Sequence, residues 1–179
     1  MAGKVILGRA AQSRARVWRF VVTLGLLLVV SVSLQTTVLA RWRLFSVVPD
    51  LTFAVVVAVA FFCGKETGAI CGIAGGFLLE ALGAQGVSIL PLVWFLCGYL
   101  CGHFASLFPK SIPTYLVAVG VSLPIHALTT LFYVAVTYRS LHLATTLLRV
   151  ILPESGALVV TFLVVGFPLF LLCRRLGRE

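Results

Sequence analysis

Long apolar segments joined by short polar turns are the feature that most constrains how this chain folds. Six segments are discernible, at about residues 21–40, 44–63, 67–82, 88–108, 113–138 and 155–173. Most are close to the roughly 20 residues that an α-helix needs to cross a bilayer. Hydrophobic residues make up 61% of the chain and charged residues only 11%. The sequence therefore predicts an all-α integral membrane protein, a single bundle of about six transmembrane helices.

The basic residues predict how such a bundle is oriented. The formal net charge is +9, and ten of the 14 Lys and Arg lie at the two termini or in the turns at Lys65 and Lys110. The other four lie in the alternate turns, namely Arg41, Arg43, Arg139 and Arg149. Because basic residues favour the cytoplasmic side, both termini are predicted to be cytoplasmic. These residues form no basic soluble face, so nucleic acid is not a predicted partner.

The amino-terminal region resembles a signal peptide in its order of charge and hydropathy. Residues 1–19 are basic, and an apolar run of about twenty residues follows. This run is longer than the roughly 7–15 apolar residues of a cleavable signal, which favours an uncleaved first span. Near its end, Gln35 and Thr36 are expected to hydrogen-bond within their own helix, with a bond to a neighbouring helix as the alternative.

Glycines recur at helical spacing in the third and fourth segments. Gly64, Gly68, Gly72 and Gly76 occupy every fourth position, and Gly98 and Gly102 repeat the spacing later in the chain. In lipid, small residues at this spacing let two helix backbones approach closely. We expect helix packing at both sets, and we expect at least one of Gly68, Gly72 and Gly76 to face a helix of a partner protein.

Two acids within the apolar segments predict a buried polar cluster. The second and third segments form a hairpin with its turn near Gly64, and Asp50 and Glu80 each lie about 18–21 Å from that turn at about 1.5 Å per residue. Two carboxylates at one level need a counterion, and Arg41 and Arg43 approach from the same side. The predicted cluster contains Asp50, Glu80 and one of these arginines.

The remaining polar residues are assigned more modest roles. Cys97, Cys101 and His103 lack a fourth metal ligand, so neither a metal nor another cofactor is predicted. His126, close to Pro124, is expected to be neutral and bonded within the bundle, with a proton or ligand site as the alternative. Residues 139–152 have the pattern of an amphipathic helix that lies on the bilayer surface.

Several of these residues together resemble the rod shape-determining protein MreD family of bacteria. The resemblance includes Pro49-Asp50 at the start of the second segment and Gly64 and Gly68 at the turn. It continues through the run Gly72-x2-Gly75-Gly76-Phe77-x2-Glu80 and ends with Gly86 and Leu92. Glu80 stands where that family more usually has aspartate.

This resemblance implies a non-enzymatic component of the cell-elongation machinery in the bacterial cytoplasmic membrane. The implied partner is a bitopic MreC-like protein, with indirect links to the MreB filament and to the glycosyltransferase and transpeptidase of lateral wall synthesis. The expected helix-packing or partner-binding residues are Gly64, Gly68, Gly72, Gly76, Phe77, Gly98 and Gly102.

Two other classes of membrane protein are alternatives. The substrate-binding membrane subunits of energy-coupling factor vitamin transporters are similar to the MreD family in fold, and they need an outward pocket lined by polar and aromatic groups. The predicted outward loop at residues 83–87 has one amide side chain and no charged one, so it offers few polar groups to line such a pocket. An intramembrane enzyme is disfavoured because no nucleophile–base pair or HExxH motif is present.

Overall fold

The described part of the chain is built of α-helices. The structure, a computed structural model, describes residues 2–39, 41, 50–82, 89–137 and 151–176, and these ranges contain no strand. The helices are α1 (Ala2–Leu34), α2 (Leu51–Cys63), α3 (Lys65–Ala81), α4 (Leu90–Leu107), α5 (Ile112–Thr137) and α6 (Leu152–Leu176), with a π-helical turn at Gln35–Leu39 after α1. The all-α prediction is confirmed for these residues.

Helix α2 is the centre of the structure. Every residue from Thr52 to Phe62 is buried, and α2 contacts all five of the other described helices. Its sequence is apolar on every side, which is the pattern of a helix that other helices surround completely. Its thirteen residues span about 20 Å, so it is shorter than the roughly 30 Å of a bilayer's hydrocarbon core.

The outer helices bury one face and expose an apolar one. On α5, Ala118 and Ser122 are buried while Leu116 and Leu128 are exposed. On α6, Leu158 is buried while its near neighbour Val160 is 58% exposed. Helices α1, α3 and α4 also expose large apolar side chains, so the described outer surface is apolar over much of its area.

Three helical stretches are long and apolar enough to cross a membrane: Trp18–Leu39, Leu90–Leu107 and Ile112–Phe132. The stretches Leu51–Cys63 and Leu152–Gly166 are apolar but shorter, and α3 has 17 residues that include Lys65, Glu66 and Glu80. Each of the six predicted segments overlaps one described helix. Helix α1 extends further than predicted, because it continues through the basic amino-terminal segment from Ala2.

Some predicted features lie outside the described residues. These are Pro49, Arg43, Gly86 and nearly all of the surface helix predicted at residues 139–152. The last residue of that prediction, Leu152, is instead the first residue of α6.

Candidate functional site

Asp50 is a buried acid that caps the central helix. It is the residue before α2, and its Oδ1 accepts a hydrogen bond of 3.1 Å from the backbone N–H of Phe53. The first N–H groups of a helix have no partner within the helix, and an aspartate at this position satisfies one of them. Asp50 is only 7% exposed, so this cap lies inside the bundle.

Gln35 connects the end of α1 to the same place. Its Oε1 accepts hydrogen bonds from the backbone N–H of Thr52 at 2.9 Å and from the Thr52 hydroxyl at 2.7 Å. The Gln35 side chain also interacts with the Asp50 carboxylate. The expectation that Gln35 bonds within its own helix is therefore wrong, whereas the Thr36 hydroxyl does bond the carbonyl of Val32 in its own helix. The π-helical turn that begins at Gln35 is a local widening of the helix of the kind often found at functional sites.

The His126 and Glu154 side chains are in hydrogen-bonding contact next to this cap. The distance from His126 Nε2 to Glu154 Oε1 is 3.1 Å, and the two side chains are 8% and 16% exposed. The imidazole ring also packs on Phe53, with 4.8 Å between ring centroids. Asp50 is an electrostatic neighbour of both His126 and Glu154. His126 is thus bonded within the bundle, as expected, and its neutral state stays a prediction.

These residues constitute a buried polar network that draws on four helices. We define the network as Gln35 at the end of α1, Asp50 and Thr52 at the start of α2, His126 on α5 and Glu154 at the start of α6. Two acids and one imidazole share an interior where unpaired charge is costly. Such a group can hold protons between its members, and its hydrogen bonds fix the relative positions of the helices that supply it.

Within the described residues, Asp50 pairs with neither Glu80 nor Arg41, whereas Arg43, the other arginine of the predicted cluster, lies outside them. The Oε1 of Glu80 accepts a hydrogen bond of 3.3 Å from the backbone N–H of Leu90, at the start of α4. Arg41 is exposed and, within the described residues, pairs with neither acid. The charged neighbours of Asp50 are His126 and Glu154 instead.

The glycines of α3 receive helix α4 of the same chain. A Cβ atom at Gly68 would collide with Ala60 of α2 and would also lie 2.8 Å from the carbonyl oxygen of Gly98, and one at Gly72 would collide with the backbone of Trp94. A Cβ at Gly76 would lie 2.5 Å from the Cα of Pro91. All three positions are therefore filled from within the chain, which corrects the expectation that at least one of them faces a partner.

The glycines of α4 complete this contact. A Cβ at Gly98 would collide with the backbone of Gly68, and one at Gly102 would lie 2.6 Å from the backbone nitrogen of Lys65. The two helices run antiparallel with their backbones in direct contact, as the glycine spacing in both segments indicates.

Gly64 and Phe77 differ from the other residues of the glycine-rich segment. Gly64 is the single residue between α2 and α3, with φ of 97° and ψ of 171°, a conformation that is essentially restricted to glycine. A Cβ there would meet nothing within 4 Å, so the backbone conformation and not crowding requires glycine. Phe77 points outward and is 60% exposed.

A close contact between α5 and α6 was not anticipated from the sequence. The Tyr115 ring packs directly on Gly166, and the Tyr115 hydroxyl donates a hydrogen bond of 3.1 Å to the carbonyl of Phe162. Gly166 is an isolated glycine, so no repeated spacing marks it. The pairing of His126 with Glu154 was also missed, although Pro153-Glu154 repeats the Pro-acid pattern of Pro49-Asp50.

Comparison with protein-family models, with curated proteins and with solved structures finds no match to this chain.

Proposed function

We propose that this chain is a non-enzymatic component of the bacterial cell-elongation machinery, located in the cytoplasmic membrane. In this proposal six helices cross the membrane, both termini are cytoplasmic, and the chain binds a bitopic MreC-like protein to help organise lateral peptidoglycan synthesis. The proposal takes its identity from the residues that resemble the MreD family. Its membrane location is supported by the three helical stretches that are long and apolar enough to span a bilayer.

One observation supports the proposal most: Asp50 and three glycines of the resemblance have structural roles in the described fold. Asp50 caps α2, which is buried from Thr52 to Phe62, and Gly68, Gly72 and Gly76 lie at the α3–α4 contact.

A partner helix needs an exposed face of the glycine-rich segment. Phe77 is exposed on one face of α3 together with Ile70 and Ile73. These three residues, at helical spacing, form an apolar stripe on the outer side of the α3–α4 pair. We propose that the membrane helix of the MreC-like protein packs on this stripe.

Affinity isolation in mild detergent tests this function. The tagged chain should co-purify with an MreC-like protein and with wall-elongation enzymes. Phe77→Ala should accumulate normally but lose most of the partner, whereas Phe132→Ala, at another exposed phenylalanine on α5, should retain it. Co-purification of a coupling ATPase in place of these proteins would indicate a vitamin transporter subunit and would overturn the proposal.

A further inference from the structure

Three rings form a row along the outer face of α4. Phe95, Tyr99 and His103 recur every four residues, so they lie above one another on the helix. Phe95 and Tyr99 stack with 6.5 Å between centroids, and Tyr99 and His103 stack at 6.3 Å with only 6° between their planes. Tyr99 and His103 are exposed, while Phe95 is partly buried.

A lysine from the neighbouring helix lies against this row. The Lys65 Nζ is 5.9 Å from the centroid of the Tyr99 ring, within the range of a cation–π interaction. Gly102 makes this placement possible, because its missing side chain lets the Lys65 backbone lie directly on α4. The next residue, Glu66, is exposed, and it lies about 100° further round α3 than Lys65.

Polarity falls steadily along the row. Lys65 and His103 lie at the end of the α3–α4 pair where α3 begins and α4 approaches its own end. Tyr99 lies one turn from His103, and Phe95 lies one turn further, about 12 Å along the helix from His103. Beside Phe95, the Leu96 side chain is 49% exposed. A cation, an amphipathic ring and then an apolar surface follow one another in that order.

We propose that Lys65, Tyr99 and His103 bind the phosphate headgroup of an anionic phospholipid, and that an acyl chain of this lipid lies along Phe95 and Leu96. The lipid has the same order of chemistry as the surface: an anion, polar ester groups and a hydrocarbon chain. Basic side chains at the cytoplasmic end of membrane helices bind such headgroups. This inference rests on the proposed membrane location and on its orientation, but not on the proposed partner.

Lipid retention by the purified chain tests the site directly. The detergent-solubilised protein is mixed with phosphatidylglycerol or with phosphatidylcholine of identical acyl chains, and bound lipid is counted by native mass spectrometry. The wild type should retain phosphatidylglycerol preferentially. Lys65→Gln should weaken this retention about fivefold, the ratio expected for the loss of one basic contact. Lys65→Arg should preserve it.

Matched variants separate the site from general charge and hydrophobicity. Lys4→Gln makes the same charge change in α1 and should retain the lipid as the wild type does. Tyr99→Leu should lose the preference for phosphatidylglycerol, whereas Phe132→Leu, at an exposed ring on α5, should keep it. Thermal unfolding in the same detergent identifies any variant that is misfolded. If either Lys65→Gln or Tyr99→Leu is misfolded, the lipid preference of the other one tests the site.

Three results would overturn the inference. These are equal retention of both lipids by the wild type, unchanged preference in both Lys65→Gln and Tyr99→Leu, and displacement of the lipid by millimolar inorganic phosphate, which would indicate a site for free phosphate. Because the purified chain is tested without its partner, these results leave the proposed function untouched. Failure to co-purify an MreC-like protein would in turn leave the lipid site untouched.

Discussion

The Glu154 carboxylate and the His126 imidazole contact each other directly, and both are largely removed from solvent. A buried charge that loses its partner is strongly destabilising, whereas replacement of both members by apolar groups is often tolerated. The energetic importance of this pair therefore lies mostly in the cost of breaking it.

A double-mutant cycle measures this coupling. We expect His126→Leu and Glu154→Leu each to lower the free energy of unfolding by about 3 kcal/mol or more. The double variant should recover part of that loss, which gives a coupling energy of about 1–3 kcal/mol. Reversible unfolding in detergent micelles provides the measurement.

Glu80 supplies the matched control for that cycle, because it accepts a hydrogen bond from Leu90 and does not pair with His126. The effects of His126→Leu and Glu80→Leu should be additive within about 0.5 kcal/mol. A cycle between His126 and Glu154 that is equally additive would contradict the role assigned to the pair.

The residues of the network show which features of the site could be predicted from the sequence. Counting along the α2–α3 hairpin predicts the height of Asp50 and Glu80, but it says nothing about the direction in which each side chain points around its helix axis. His126 and Glu154 come from helices much later in the chain, and periodicity alone does not place those helices beside α2. The Pro-acid pattern at Glu154 was the available signal that a second acid begins a helix.

At the scale of the helices, the close contact between α3 and α4 depends on glycines, which have a hydrogen atom in place of a side chain. Backbone meets backbone at Gly68, Gly72, Gly76, Gly98 and Gly102, so no side chain can rotate to relieve an added methyl group. The spacing predicted this close approach correctly. The spacing did not identify which helix packs against these glycines, because a face made of small residues can accept any helix that also presents small residues.

Alanine substitutions test this contact with built-in controls. Gly72→Ala should lower the free energy of unfolding by about 1–3 kcal/mol or more, because the new Cβ collides with the Trp94 backbone. Gly25→Ala and Gly120→Ala make the same change on α1 and α5, where a Cβ meets nothing within 4 Å.

These two control variants should be neutral or slightly more stable, since alanine favours helix over glycine by roughly 0.5–1 kcal/mol. Thermal unfolding and protein levels in the membrane fraction are the measurements. If Gly72→Ala behaves like the controls, the two backbones are further apart than described here.

At the scale of the whole molecule, a central apolar helix contacts five other helices whose outer faces are also apolar. Water would not support such an outer surface, since soluble monomers rarely expose contiguous apolar patches of more than a few hundred Å². A bilayer satisfies it. Composition predicted a helical bundle of this kind, but it did not predict which helix is central, because an apolar sequence suits a buried helix and a lipid-facing one equally well.

Topology reporters test the proposed orientation in the membrane. A reporter that is active only outside the cytoplasm should be silent when fused after Glu179 and active when fused after Arg149. The reason is the asymmetry of the basic residues, ten of 14 of which lie on the side of the termini in the proposed topology. The opposite pattern of activity would show that the orientation is reversed and that the Lys65 end of the bundle lies on the outer face.

The polar network also has a consequence for the order in which the protein is made. Gln35 and Asp50 emerge from the ribosome early, whereas Glu154 is synthesised only after five of the six described helices. Until then His126 lacks its carboxylate partner, and α2 lacks the neighbour that covers one of its sides. A nascent chain that stalls before α6 is therefore expected to leave polar groups without partners within an apolar bundle.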